Sequence, residues 1–157
     1  NEDVRYFSGT VRYETEFEMA DYLPTSQSYL LSLGEAFQFA RVRLNGHDLG
    51  LRMWAPYHFD ISNIIRSGAN RLEIEVTTLW PNRLIGDERL YPETATWKEN
   101  GYQGFQLTSF LKWLKGTAPE QPGRRSTFAT WKHWNKDDEL LPSGLLGPVS
   151  IMVQDRN

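Results

Sequence analysis

Five carboxylic acids stand in two short polar stretches of this sequence: Asp87 and Glu88 in LWPNRLIGDERLYP (residues 79–92), and Asp137, Asp138 and Glu139 in NKDDELL. Paired carboxyl groups are the machinery of glycoside hydrolysis, about 5 to 5.5 Å apart when one acts as nucleophile and about 6.5 to 9.5 Å apart when water attacks. Neighbouring residues of an extended chain point to opposite faces, and three consecutive acids in a polar segment have the pattern of a solvated loop. The sequence therefore predicts no catalytic residues. A small glycosidase using Asp87 with Asp137 or Glu139 is the less favoured alternative.

Other reactive sets are missing. His47, His58 and His133 are scattered, with no H-E-x-x-H or other ligand spacing. Serines are plentiful, but G-x-S-x-G does not occur, and a hydroxyl without a positioned base is a poor nucleophile. With no cysteine, thiolate ligands, disulfides and cysteine nucleophiles are excluded. No cofactor is predicted; a calcium ion on loop carbonyls and carboxylates stays open, although no EF-hand-like spacing supports it.

What remains is a group of aromatic, planar polar and acidic residues outside any regular period: Trp54 and Tyr57 in MWAPYHF, Trp80, Asn82, Arg83, Asp87 and Glu88 in the opening stretch, Trp97, and Trp131, Lys132, His133 and Trp134 in TWKHW. A sugar presents flat C–H faces ringed by hydroxyls, so its site wants an aromatic platform beside Asn, Asp or Arg. Trp54, Tyr57, Trp80, Asn82, Arg83, Asp87, Trp131 and Trp134 are the candidate carbohydrate-binding residues. The competing reading is structural. Trp80 and Trp131 would plug the ends of the fold, and Arg83 and Asp87 would pin a long loop through a buried charge-assisted hydrogen bond. Contact with a neighbouring domain is a third use.

The elements that must position these residues are written in period two. In TVRYETEFEM, Val11, Tyr13, Phe17 and Met19 share one parity and Arg12, Glu14, Glu16 and Glu18 the other, the pattern of a strand with one wet face. FARVRLNGHDLGL places Ala40, Val42 and Leu44 inward and Arg41 and Arg43 outward, with Asn45-Gly46 as a hairpin turn. RLEIEVTT repeats the design with Leu72, Ile74 and Val76 inward. The outward Glu row and Arg41 with Arg43 could pair across neighbouring strands, but each exposed pair contributes only about 0.2 to 1 kcal/mol and solvated faces are the favoured reading. FDISNIIRSG predicts a single helical turn, capped by Asp60 or Ser62 and ended by Gly68.

From Leu79 to about Pro122 the period is lost, so the opening stretch reads as loop. The exception is TSFLKWLKG, which predicts a short helix ending at Gly116. EQPGRRS is a turn cluster, and STFATW and GPVSIMVQ read as closing strands. The fold class is all-β, an antiparallel sandwich of jelly-roll type with one or two short helices in long loops.

The chain has 157 residues, 17 basic against 20 acidic side chains and six Trp. That length suits a single domain, residues 1–157, with a core of its own. A net charge of −3 gives no attraction for a polyanion, so nucleic acid is not an expected partner. No apolar run approaches the roughly 18 residues of a membrane span, so no membrane partner is expected. The opening NEDVRYFSG lacks the basic and apolar regions of a signal peptide and begins with Asn, which reads as a processed chain or a piece of a longer one.

The succession FSGTVRYETEFEM, ARVRLNGHDLGLRMWAPYHFDISNIIRSGANRLEIEVTTLWPNRLIGDE and FATWKHWNKDDELLPSGLLGPVSI resembles the galactose-binding-like β-sandwich of glycoside hydrolase family 2 type. The version it resembles is found near the C-terminus of large bacterial enzymes similar to family 106 α-L-rhamnosidases. RLNGHDLG, APYHFDIS, GANRLEIEV and NRLIGDE occur in the family's order; NRLIGDE, TWKHW and LLPSGLLGPV belong to the large-enzyme subset, and LRMWAPYHF departs from the relatives' aromatic pattern. The resemblance implies a noncatalytic accessory module, structural or carbohydrate-binding, partnered by the catalytic domain of the same polypeptide, which carries the acids. It also implies plant or microbial glycan as a further partner, export to the periplasm or cell exterior, and in some relatives a structural calcium. A freestanding lectin-like sugar binder is the alternative.

Overall fold

A computed structural model describes residues 2–20, 22–23, 25–92, 95–101, 104–108, 116, 125, 127 and 129–156. In chain order the elements are α1 (Glu2–Arg5), β1 (Thr10–Met19), β2 (Gln27–Ser32), β3 (Glu35–Phe37), β4 (Phe39–Leu44), β5 (His47–Arg52), β6 (His58–Asp60), β7 (Gly68–Thr77), α2 (Pro81–Leu90), β8 (Trp97–Glu99), β9 (Phe105–Leu107), β10 (Gly144–Gly147) and β11 (Ser150–Asp155). They fall into two compact units. A sheet unit comprises Gly9–Leu79 and Pro142–Asn157, and a helical unit comprises Asn1–Ser8 and Trp80–Leu141.

The sheet unit is the all-β sandwich that the alternation predicts. Its larger sheet runs β1-β7-β4-β5, a second runs β11-β2-β6, and β10 pairs with β3; every pairing is antiparallel. Ala40, Val42 and Leu44 of β4 and Leu72, Ile74 and Val76 of β7 join Tyr29 and Leu31 of β2 and Phe59 of β6 in one buried cluster. A one-residue slip of any of these strands would turn its apolar set to water, so the core itself fixes the register. The hairpin between β4 and β5 turns at Asn45 and Gly46, with φ of 52° and 81°, the left-handed values that the dipeptide tolerates. GPVSIMVQ closes the unit as β11, paired along its length with β2.

The outer charges, for which solvated faces are the favoured reading of the sequence, form ion pairs while staying at the surface, and the pairs are not those of the Glu row with Arg41 and Arg43. Arg12 of β1 meets Glu75 of β7 at 2.7 Å and Glu14 meets Arg71 at 3.0 Å, while Arg43 reaches Glu75 at 3.8 Å and Arg41 pairs with Asp48. The reason is strand order. β7 lies between β1 and β4, so its own charges serve both neighbours, and the Glu row never faces Arg41 or Arg43 directly.

FDISNIIRSG forms the single turn expected. Asp60 Oδ1 accepts the Ser62 N–H at 2.9 Å, Ile64 and Ile65 both donate to the Ile61 carbonyl, and Gly68 takes a φ of 79°. Buried Asn70 clasps this turn. Its amide donates to the carbonyls of Arg66 and Gly68 at 2.8 and 2.9 Å, and its Oδ1 accepts from Arg66 N–H and from the Asn45 amide.

In the helical unit the opening stretch is not a loop, as its lost alternation suggested, but the ten-residue helix α2. Pro81 sits in its first turn, where a missing N–H costs nothing. Its buried positions are Asn82, Ile85, Gly86, Asp87 and Glu88, so the face turned inward is mostly polar. A helix without an apolar stripe leaves no 3.6-residue hydrophobic period to read. β8 and β9 form a hairpin that sequence reading also missed, extended by a bridge between Gln106 and Trp131. The short helix expected in TSFLKWLKG and most of EQPGRRS lie outside the described residues, while the closing strand expected in STFATW does not form among its described residues: Thr127, Ala129 and Thr130 are irregular, and Trp131 makes only the isolated bridge to Gln106.

Candidate functional site

α2 places Asp87 and Glu88 side by side, and both carboxylates are held inside the helical unit. Asp87 is 0% exposed. Its Oδ1 lies 3.0 Å from Arg83 Nη2, one helical turn earlier. Its Oδ2 accepts the Thr127 hydroxyl at 2.6 Å and the Thr127 N–H at 2.9 Å. A buried carboxylate needs this coverage, because an ionised oxygen removed from water without donors is costly.

Glu88 has a second cation. Arg125, buried, donates from Nη2 to Glu88 Oε1 at 2.7 Å and to the Asp87 carbonyl at 3.1 Å. Glu88 Oε2 accepts from Trp97 Nε1 at 3.3 Å and lies 3.5 Å from Lys132 Nζ. Thr127 and Arg125 come from about 40 residues further along the chain, where nothing in sequence marks them as partners of α2.

Two further contacts seat the helix. Asn82 grips the backbone of Leu141 from both sides, its amide donating to the carbonyl and its Oδ1 accepting the N–H, each at 2.8 Å. Gly86 faces Tyr6, and a Cβ at that position would stand 2.5 Å from Tyr6 Cγ. Arg89 completes the grip on Tyr6, donating to its hydroxyl at 3.1 Å. Of these, Tyr6, Arg125 and Thr127 were not singled out in sequence; only the Gly within a helical stretch could have signalled a close approach.

The candidate residues thus divide. Asn82, Arg83 and Asp87 are brought together on α2 and bond one another or the backbone of their own unit. Trp80 sits at the helix N-cap with 53% of its surface exposed, and Trp131 is 44% exposed, so neither is the buried plug the structural reading expected. In the sheet unit Tyr57 is 6% exposed and its hydroxyl donates to the Gln38 carbonyl at 2.6 Å, whereas Trp54 is 70% exposed. Asp137 and Glu139 are solvent-exposed.

Trp131 and Trp134, with Trp97, Glu88, Lys132 and His133, line a recess of about 230 Å³ counting its open mouth. It is an aromatic hollow with charges at its floor and rim. Among the described residues no group of three or more His, Asp or Glu side chains stands together to hold a metal ion, and no residue is assigned to calcium. No described helix is long and apolar enough to cross a membrane.

Comparison with known proteins bears on these units. A family model described as glycosyl hydrolase 2 galactose-binding domain-like matches residues 1–109. A Formosa agariphila protein named "Putative beta-glucuronidase" is 44% identical over 154 residues, a match that covers 98% of this chain but 13% of that protein. The solved rhamnosidase of Novosphingobium sp. PP1Y superposes with a TM-score of 0.70 at 30% identity, again over 98% of this chain and 12% of the enzyme.

Proposed function

The chain belongs to the glycosyl hydrolase 2 galactose-binding domain-like family, and from that premise we propose that it is a noncatalytic module of a larger glycoside hydrolase, packed on the catalytic domain of the same polypeptide. The observation that carries this reading is the fate of the acids. Asp87 and Glu88 are each engaged inside the unit, Asp87 by the Arg83 ion pair and the Thr127 hydrogen bonds and Glu88 by Arg125 and Trp97, so neither is poised to donate a proton or attack a sugar. Asp87 has no room for a facing acid, because it is wholly buried, while Asp137 and Glu139 are exposed. The small share of its relatives that the chain spans supports the same reading: bond cleavage belongs to the other 87% or more of those polypeptides.

Export to the periplasm or cell exterior follows from the same family resemblance. The test assays the 157-residue chain for release of reducing sugar from rhamnosides and glucuronides, beside thermal melting of Asp87→Asn. The expected result is no turnover and a lowered melting temperature for the variant. Turnover that Asp87→Asn abolishes without altering the melt would overturn the reading.

A lectin-like role is the second reading, and the specific observation favouring it is the exposure of Trp54 and Trp131. An exposed indole offers a flat apolar face on which the C–H face of a sugar ring can stack.

A further inference from the structure

The recess of the helical unit carries an assignment beyond the scaffold. We propose that it binds a single anionic sugar residue, the ring stacked on Trp131 and the negative group, a carboxylate or a sulfate ester, paired with Lys132.

Three observations converge. The first is the lining: Trp97, Trp131 and Trp134 stand around one small hollow, and the indole of Trp131 keeps 44% of its surface in solvent. An indole face in water beside two others is a platform for the C–H face of a pyranose.

The second is charge. Among the described lining residues one carboxylate, Glu88, faces two cations, Arg125 and Lys132. Arg125 is committed, with bonds to Glu88 and to the Asp87 and Tyr91 carbonyls. Lys132 lies 3.5 Å from Glu88 Oε2, the oxygen that also accepts the Trp97 N–H, and a quarter of its side chain is open to solvent. An ammonium carries three donors and this contact is long, so Lys132 has donors left for a second anion. The surplus of positive charge in a half-buried hollow selects against a neutral ring, which offers nothing to balance it. His133 on the rim is a further donor.

The third is shape. The recess is shallow and most of its volume is its open mouth, so a ring rests on it and is not enclosed.

The experiment titrates the chain, by tryptophan fluorescence and calorimetry, with methyl glucuronide, methyl glucoside 6-sulfate, neutral methyl glucoside and sodium sulfate. At least one anionic glycoside should bind ten times more tightly than both the neutral glycoside and free sulfate. Preference for the glucuronide assigns a carboxylate, and preference for the sulfated glycoside a sulfate ester. Lys132→Met should reduce that ligand to the neutral level while Lys132→Arg retains it, and Trp131→Ala should abolish binding while Trp131→Phe keeps part of it. Thermal melts of the conservative variants guard against loss of fold. Equal binding of neutral and anionic glycosides, free sulfate binding as tightly as the sulfated glycoside, unchanged binding by Trp131→Ala, or no binding at millimolar ligand would each overturn the assignment. A null result leaves the scaffold reading standing, because only turnover of these glycosides would count against that.

Discussion

Arg83 Nη2 lies 3.0 Å from Asp87 Oδ1 across one turn of α2, with the carboxylate buried and the guanidinium reaching the surface. The pair is the inner brace of the helical unit, because Asp87 passes the same charge on to Thr127 through its other oxygen. Arg83→Ala leaves that carboxylate without its cation and should cost about 2 to 4 kcal/mol, the range for uncompensated buried charge. Urea unfolding of the two proteins measures it. A midpoint matching the wild type would show that the pair with Arg83 is not needed to hold Asp87.

Gly86→Ala tests the approach of Tyr6 to the helix. In a free helix the change stabilises by roughly 0.5 to 1 kcal/mol. Here the added methyl stands 2.5 Å from Tyr6 Cγ, and overpacking of this kind costs about 1 to 3 kcal/mol. The expected sign is therefore destabilisation, relieved in the double variant with Tyr6→Ala relative to Tyr6→Ala alone. Stabilisation by the single change would mean that Tyr6 does not pack there.

In the sheet unit, Asn70→Ala removes a side chain that bonds three backbone groups and the Asn45 amide. Two donors and two acceptors lose a partner in this part-buried cluster, and a loss of about 1 to 3 kcal/mol is expected from the cost of unsatisfied groups. Amide hydrogen exchange should quicken first at Arg66 and Arg71, whose N–H groups depend on Asn70 and Asn45.

Asp48 supplies a pH dependence with a definite sign. The Arg41 guanidinium, followed by the Gly50 N–H, holds its carboxyl down at about 2 against the usual 3.8. A depressed folded-state value contributes stability that is complete above about pH 4 and lost as pH falls toward 2. Carbon-detected NMR titration should place the Asp48 midpoint near the lower value in the wild type and near the ordinary value in Arg41→Ala. Equal midpoints would mean that the exposed pair is not formed in solution.

The sheet unit was legible in the amino-acid order because its physics is local and periodic. Val11 to Met19, Ala40 to Leu44 and Leu72 to Val76 alternate because a strand has two faces and one of them is dry, and Asn45-Gly46 announces its turn by the backbone angles it alone tolerates comfortably. The order of RLNGHDLG, APYHFDIS, GANRLEIEV and NRLIGDE pointed to the galactose-binding-like family of glycoside hydrolase 2 type, which the match over residues 1–109 bears out; the chain spans only 13% and 12% of two matched relatives. The pairing of Arg83 with Asp87 could be suspected from their types, although not as a turn of helix.

The rest was decided in three dimensions. Of the five residues α2 buries, Asn82, Ile85, Gly86, Asp87 and Glu88, only Ile85 is a large apolar side chain, so the helix has no apolar stripe to read in a linear pattern. Its burial is tolerable because Thr127, Arg125 and the Leu141 backbone bring donors and acceptors from 37 to 59 residues away. Such partners are chosen by hydrogen-bond geometry at the end of folding, and no spacing along the chain encodes them. The aromatic recess arises in the same way, from tryptophans on β8 and on the 131–134 segment, which the Gln106–Trp131 bridge ties to the β8–β9 pair.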